Sequence, residues 1–265
     1  MNDLKLLYTV GCSFTRMISK NIGVGGEITD LVPLTQQWPH LLGDKFNIPT
    51  INDGLWGSSN QRSFRRLKNF LETKSIDSNN LLVIVQITFP ARFEMDNDGI
   101  NVEDYVWPDC DYTEDYIRLN PGWVDTSIEN LDFEYISENH PRALGSVCLP
   151  RNKKYSEQFH DGLKKVYAKT IRYTEEQEKL EEMTYLYAFQ GLLDCYGVKG
   201  HIVFGDNSHK NIQEYSQKIP RVMDSLSIRD IADKNNTLDG YHPDFGGSIN
   251  VADRFYNKIL QNTDK

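Results

Sequence analysis

Short apolar runs alternate with amphipathic segments along most of this chain. Runs rich in β-branched residues, such as LKLLYTVG at 4–11 and NLLVIVQITF at 80–89, are typical of buried strands in a parallel sheet. Between them, apolar residues recur with the period of a helix, as in LTQQWPHLLGDKF at 34–46 and in the segment that begins at Ser58. Because successive parallel strands need a crossover helix, this alternation strongly constrains the fold.

The predicted elements follow the order strand, helix, strand, helix, strand, a long middle region, helix, strand and helix. The second strand lies within 48–54, and the later elements are a helix over 174–197, a strand over 200–206 and a closing helix over 246–261. We predict an α/β fold: a three-layer α/β/α sandwich with a flavodoxin-like, mostly parallel sheet. A chain of 265 residues can bury one large core, so we predict a single domain over residues 1–265.

The middle region, about residues 95–165, interrupts the alternation. It is rich in Asp, Glu, Tyr, Trp and Pro, as in NVEDYVWPDCDYTEDY at 101–116, and its periodicity is weak. A connection of this length in a compact domain is usually functional or carries small elements of its own. We interpret it as an insertion over the face of the sheet that holds the site; a surface excursion without function is the alternative.

Composition argues against several kinds of partner. The net charge of −9 and the isoelectric point near 5.2 argue against nucleic acid, because nucleic-acid binders display a basic face. No run reaches the roughly 18–20 apolar residues of a membrane span, and the first ten residues lack the regions of a secretion signal. We therefore expect a cytoplasmic protein with no membrane partner. The four cysteines form no CxxC pair, so we predict reduced thiols, no metal and no cofactor.

The first predicted strand ends abruptly in Gly11, Cys12 and Ser13. Ligands of open parallel sheets bind at the carboxyl ends of the strands, so a reactive side chain is expected at this edge. Gly11 permits a tight turn, and a helix that begins just beyond Ser13 would direct its N–H groups at a developing oxyanion. The alternative is that Ser13 or Thr15 only caps that helix.

Polar groups also follow the second and third predicted strands. NDGLWGSSNQR at 52–62 contains glycines and an asparagine, and its backbone N–H groups can approach a ligand closely. VQITFPARFE at 85–94 ends the third strand with three side chains that can donate hydrogen bonds, Gln86, Thr88 and Arg92. Because the strands end at one edge, we expect these groups to surround the position of Ser13.

A candidate general base lies just ahead of the last helix. LDGYHPDFGG contains Asp239 and His242 in a D-x-x-H arrangement. A serine nucleophile needs a histidine to take its proton and a carboxylate to orient that histidine, and this pair supplies both. A second D-x-x-H, Asp206 and His209, also follows a strand. It is either an alternative base pair or a part of the substrate pocket.

These segments resemble the four sequence blocks of the SGNH, or GDSL-like, hydrolases, and they occur in that family's order. The resemblance implies that Ser13, in GCSFT, is the nucleophile. It implies that Asp239 is the orienting acid and His242 the general base. It also implies an oxyanion hole that includes the backbone N–H groups of Ser13 and of Gly57, the glycine of LWGSSN.

The chain departs from the family pattern in its third block. The family's asparagine is missing; by strand position Thr88 takes its place as the third oxyanion donor, and Gln86 is the other candidate. Loss of one donor can lower kcat by about 10² to 10³. Cys12 stands where aspartate is common, and its thiol is an alternative nucleophile. The resemblance covers about residues 5–94 and 180–260, and not the insertion.

The leading hypothesis is a serine hydrolase that cleaves a small or carbohydrate-borne ester by acyl transfer. The acidic and aromatic composition of the insertion favours a polar substrate over a long acyl chain. We predict substrate-binding roles for four side chains: Asn60, Gln86, Arg92 and His209. The alternative is a catalytically weakened protein of the same fold that binds a glycan or a protein partner through the insertion.

Overall fold

The structure is a computed structural model that describes residues 3–15, 33–55, 58–88, 93–96, 116–120, 146–148, 175–206, 209, 211–233, 238–239 and 242–263. The chain divides into two compact units, Met1–Phe89 with Lys179–Lys265, and Pro90–Glu178. The single domain with an insertion at 95–165 stays a prediction. In chain order the described elements are β1 (Leu6–Val10), α1 (Trp38–Phe46), β2 (Thr50–Asn52), α2 (Asn60–Thr73), β3 (Leu81–Ile87), β4 (Phe93–Asp96), β5 (Tyr116–Asn120), β6 (Ser146–Cys148), α3 (Glu175–Cys195), β7 (Lys199–Phe204), α4 (Ile212–Lys218), α5 (Ile228–Asp233), β8 (Leu238–Asp239), β9 (His242–Pro243) and α6 (Phe245–Thr263).

Four strands of the first unit form a fully parallel sheet in the order β2-β1-β3-β7. Val10 pairs with Val85, and Ile87 pairs with Phe204, so β1, β3 and β7 run in register toward one edge. A parallel bridge from Ile202 adds a further segment beyond β7. The predicted α/β fold with a flavodoxin-like strand order is confirmed.

Helices cover both faces of this sheet. Along β3, Leu82 and Ile84 pack into a core with α1 and α6, whereas Val83, Val85 and Ile87 pack into a core with α2 and α3. Every residue of β3 is buried, which explains why its sequence is a continuous apolar run rather than an alternating one. The predicted three layers are therefore present in this unit.

Local signals in the sequence set the helix boundaries near the site. Ser59 caps α2, because its hydroxyl accepts a hydrogen bond from the N–H of Arg62 over 3.0 Å. Asn47 ends α1 in the left-handed region, with φ of 54°, which asparagine tolerates better than most residues. These two caps set where α1 ends before β2 and where α2 begins after it.

The second unit contains an antiparallel sheet in the order β4-β5-β6. The sequence did not predict these strands individually, nor did it predict α4, α5 and the hairpin of β8 and β9.

Among the described residues, no helix combines the length and the apolar character that crossing a membrane requires.

Candidate active site

The described site residues lie beyond the carboxyl ends of β1 and β3 and in the segment before α6. Ser13 lies three residues beyond Val10, and Thr88 directly follows β3. His242 begins the short strand that precedes α6. Ligands of parallel sheets bind at the carboxyl ends of the strands. The hydroxyl-bearing residue Ser13 therefore lies close to this edge.

Ser13 and His242 are in direct contact. The serine Oγ lies 2.7 Å from Nε2 of His242, although 229 positions separate the two residues in the chain. Ser13 is 4 % exposed, and the imidazole packs against the ring of Phe14 with centroids 5.0 Å apart. This is the hydrogen-bonding distance expected between a serine nucleophile and its base.

Asp239 lies in the hairpin that carries His242. Strands β8 and β9 pair antiparallel, and Asp239 is the cross-strand partner of His242. The D-x-x-H spacing of the sequence is therefore the spacing of a hairpin with a two-residue loop, in which the first and fourth residues lie opposite each other. The hairpin holds the backbones of the predicted acid and base at a fixed separation.

The turn that carries Ser13 is held by other segments of the fold. Thr15 N–H donates to the carbonyl of Cys12 over 2.9 Å and closes the turn. The Cys12 side chain is fully buried in the core on the α1 and α6 face, which favours Ser13 over the thiol as the attacking group. Three side chains bond the turn's backbone: Trp38 Nε1 donates to Phe14 O over 2.8 Å, Asn52 Nδ2 donates to Thr15 O over 2.9 Å, and Gln86 Oε1 accepts from Cys12 N–H over 2.7 Å.

Thr88 and Asn60 are joined by two hydrogen bonds. The N–H of Thr88 donates to Asn60 Oδ1 over 2.8 Å, and Asn60 Nδ2 donates to the Thr88 carbonyl over 3.0 Å. Both residues are 1 % exposed. The Asn60 side chain therefore pairs with the end of β3 as a neighbouring strand would, and it fixes the backbone of the predicted third oxyanion donor.

The structure describes only some of the other residues to which the sequence assigns a role in the site. Gln86 is fully buried, and its amide contacts the turn of Ser13 rather than open solvent. Gly57 and Arg92 lie outside the described residues, as does the helix start expected beyond Ser13. The roles assigned to these residues from the sequence stay predictions.

His209 belongs to a buried polar cluster. Its Nδ1 lies 2.5 Å from Glu182 Oε1, and the Tyr215 hydroxyl donates to Glu182 Oε2 over 3.1 Å. Burial and the neighbouring carboxylate raise the pKa of the Tyr215 hydroxyl, so the tyrosine stays a neutral donor. Glu182 and His209 are 5 % and 4 % exposed. The sequence did not indicate Glu182, which lies on α3, as the carboxylate in contact with His209.

The two histidines of the D-x-x-H motifs pack against different cores. His209 contacts the ring of Phe204, which belongs to the core on the α2 and α3 face, with centroids 4.9 Å apart. His242 contacts Phe14, which belongs to the core on the opposite face. This arrangement favours His242 as the base for Ser13. His209 instead contacts Glu182 and Phe204, so its contacts favour a role in stability.

We expect His209→Ala to lower stability while it leaves most of the turnover intact. The substitution removes the side chain that contacts Glu182 Oε1, and a buried polar group left without one of its partners costs about 1–3 kcal/mol. Urea denaturation would measure the free energy of unfolding, and hydrolysis of a short-chain p-nitrophenyl ester would measure kcat. Loss of turnover in a His209→Ala protein that remains folded would show that His209 takes part in the reaction.

A buried charge network supports the segment after β2. Asp53 accepts hydrogen bonds from the Tyr8 hydroxyl over 2.6 Å and from Arg66 Nε over 2.8 Å. Arg62, which is fully buried, donates to the Asp53 carbonyl over 2.9 Å and lies 3.3 Å from its carboxylate. Burial, and then the charge of Asp53, raise the pKa of the Tyr8 hydroxyl. The sequence signal for this network is an aspartate after β2 followed by two arginines four residues apart on α2.

No family model matches this chain, and no curated protein matches it. Several solved structures are similar to this chain over nearly its whole length, and the three that follow all have low sequence identity to it. One is a member of the lipolytic protein G-D-S-L family from Veillonella parvula, with 12 % identity, a TM-score of 0.44 and 97 % of each chain covered. Another is the inhibitor-bound aryl esterase of M. smegmatis, with 10 % identity, a TM-score of 0.45, and 97 % of this chain and 99 % of that chain covered. The third is a catalytic mutant of an acetylxylan esterase from Geobacillus stearothermophilus, with 11 % identity, a TM-score of 0.41, and 98 % of this chain and 96 % of that chain covered.

Proposed function

We propose that this protein is a serine hydrolase of the esterase type. The observation that carries the proposal is the 2.7 Å separation of Ser13 Oγ and His242 Nε2 beside the carboxyl edge of a parallel sheet. A serine hydroxyl is a weak nucleophile at neutral pH, and an imidazole at this distance can accept its proton. Ser13 attacks the ester carbonyl carbon while His242 takes the hydroxyl proton.

The same two residues complete the reaction. His242 gives the proton to the oxygen of the leaving alcohol as the carbon–oxygen bond of the ester breaks, and Ser13 is left acylated. Water then attacks the acyl-serine with His242 again as the base, which releases the carboxylic acid and restores Ser13. Asp239 orients the imidazole and stabilises its charged form; the cross-strand pairing of Asp239 with His242 supports this role.

The oxyanion of the tetrahedral intermediate is stabilised in this proposal by three donors: the N–H groups of Ser13 and Gly57 and the hydroxyl of Thr88. Donors of this kind are effective when they are fixed before the reaction begins. The bonded turn around Ser13 and the pairing of Thr88 with Asn60 support such a fixed arrangement.

A small ester, including one borne on a carbohydrate, is the proposed substrate. Ser13 lines a small pocket with a cavity volume of about 10 Å³ among the described residues. A volume of about 10–15 Å³ accommodates one water molecule, so this pocket alone has no room for an acyl group, and the size of the ester is proposed from the sequence. The acidic and aromatic composition of residues 95–165 favours a polar alcohol portion in this proposal. The pocket is lined by Phe14, Trp38, Pro243, Phe245, Ser248 and neighbouring polar residues.

Labelling with a fluorophosphonate tests the proposed nucleophile directly. We expect the probe to modify Ser13, as located by mass spectrometry, and we expect no modification of Ser13→Ala. Short-chain p-nitrophenyl esters and acetylated sugars, assayed side by side, would then identify the class of ester. An unlabelled Ser13 in the folded protein would instead favour the alternative, a binding protein without hydrolase activity.

Thr88→Val tests the proposed third oxyanion donor. Valine keeps the shape of threonine and removes the hydroxyl, so we expect kcat to fall by about 10- to 10³-fold with little change in KM. The reason is that this hydrogen bond is made mainly in the transition state. Thr88→Ser retains the hydroxyl and serves as the matched control, with kcat expected near that of the parent. Equal kcat values for Thr88→Val and the parent would make Thr88 a packing residue.

A further inference from the structure

The side-chain amide of Gln86 lies beneath the turn that carries Ser13. Its Oε1 accepts hydrogen bonds from Cys12 N–H over 2.7 Å and from the Thr15 hydroxyl over 3.1 Å, and its Nε2 donates to the Ile87 carbonyl. These partners determine the orientation of the amide, because Cys12 N–H requires an acceptor and the Ile87 carbonyl requires a donor. The residue is fully buried.

Two glycines on the neighbouring strands leave room for this amide. A Cβ added to Gly11 would lie 2.5 Å from Gln86 Oε1, and one added to Gly205 would lie 2.5 Å from Gln86 Nε2. Neither glycine has a left-handed backbone, so space rather than backbone conformation accounts for the absence of a side chain. The ends of β1 and β7 are therefore shaped around a polar group carried by β3.

A buried amide is costly in an apolar core unless its hydrogen bonds are made, and here they are made to the turn on either side of Ser13. Cys12 directly precedes Ser13, so the bond from its N–H to Gln86 sets the orientation of the Gly11–Cys12 peptide, one residue before the serine. The second bond, from Thr15, fixes the other end of the same turn. Gln86 thus holds both flanks of the proposed nucleophile.

We propose that Gln86 is a positioning residue, whose amide sets the geometry of Ser13 for acyl transfer and does not itself contact the substrate. This inference rests on the proposed hydrolase function. It also assigns the two candidates for the missing asparagine to different roles. Gln86 orients the turn of the nucleophile, and Thr88 is left as the oxyanion donor.

Gln86→Met is the first test. Methionine keeps the approximate length and volume of glutamine and removes its hydrogen bonds to the turn. We expect kcat to fall by about 10²-fold with little change in KM, because a misplaced reacting group loses rate rather than binding. The rate at which a fluorophosphonate labels Ser13 should fall in parallel. Both rates are measured at a temperature where thermal unfolding shows the parent and the variant to be folded.

Gln86→Glu tests the positioning role through the pH dependence of kcat, which would not change in this way if Gln86 served only to stabilise the fold. A carboxyl keeps an oxygen that accepts from Cys12 N–H, but it donates to the Ile87 carbonyl only when it is protonated. The kcat of Gln86→Glu should therefore fall as pH rises through the pKa of the new carboxyl, which burial places above the ordinary range of glutamate. The parent has no corresponding group and should lack this descending limb.

Gly205→Ala provides a coupled test. In the parent, the new methyl group meets the Gln86 amide and should lower kcat; in a Gln86→Ala background the amide is absent, so the same substitution should cost less. Additive effects of the two substitutions would count against the inference.

The outcomes separate this inference from the proposed function. A Gln86→Met protein with the parent's kcat and labelling rate would overturn the inference and leave the hydrolase intact. If Gln86→Met does not fold, a Gln86→Glu profile without a descending limb has the same consequence. A parent protein whose Ser13 does not react with the fluorophosphonate would overturn the proposed function, and this inference with it.

Discussion

His242→Ala is expected to lower kcat by a factor on the order of 10⁴ to 10⁶, the scale seen when one member of a serine triad is removed. The physical reason is the 2.7 Å contact between its Nε2 and Ser13 Oγ, since the variant lacks the imidazole that accepts the proton of this hydroxyl. Steady-state hydrolysis of a short-chain p-nitrophenyl ester, with the fluorophosphonate labelling rate beside it, measures the loss. Circular dichroism at the assay temperature would establish that the variant is folded.

The control for this prediction is a second histidine in the same motif. His209→Ala also removes an imidazole from a D-x-x-H sequence, but that imidazole contacts Glu182 and not Ser13. The double variant of Ser13→Ala with His242→Ala should be no slower than either single variant, because residues that act as a unit are not additive. A His209→Ala protein without turnover, beside an active His242→Ala protein, would reverse the assignment of the base.

The sequence was sufficient to predict the sheet and the elements that form it. The apolar runs at β1, β3 and β7, and the helical periodicity between them, follow from burial on both faces of a parallel sheet. The contact between Ser13 and His242 was also expected, because the D-x-x-H motif ahead of the last helix supplies the histidine and the carboxylate that a serine nucleophile needs. The sheet follows from local pattern and strand direction, and the contact follows from the chemistry of the motif.

Side-chain partners across the fold could not be predicted in the same way. Glu182 lies 27 positions from His209, and Gln86 lies 74 positions from Cys12, so neither pairing follows from local spacing. The substrate-binding roles of Gln86 and Asn60 stay predictions. The bonds of both amides to backbone groups could not be predicted, because they depend on how the strands and α2 pack together.

The charge network around Asp53, the residue directly after β2, was not predicted either. Asp53 is 2 % exposed and Arg62 is fully buried, and they are held together by the carboxylate and carbonyl of the aspartate. Removing one member of a buried ion pair is strongly destabilising, because the other charge stays in a low-dielectric environment. The network therefore links Asp53, directly after β2, to α2 and contributes to the stability of the fold.

Asp53→Ala is expected to lower the free energy of unfolding by about 3–5 kcal/mol, because it removes the acceptor of three side chains and leaves the Arg62 charge buried. Urea denaturation measures the change. Asp53→Asn should cost less, since an amide oxygen still accepts one of these bonds. Glu72→Ala is the matched control on α2, the helix that carries Arg62 and Arg66: Glu72 and Lys68 form an exposed i,i+4 pair, and this substitution should leave stability nearly unchanged. If Asp53→Ala and Glu72→Ala were equally stable, the buried network would contribute no more to the free energy of unfolding than a surface ion pair.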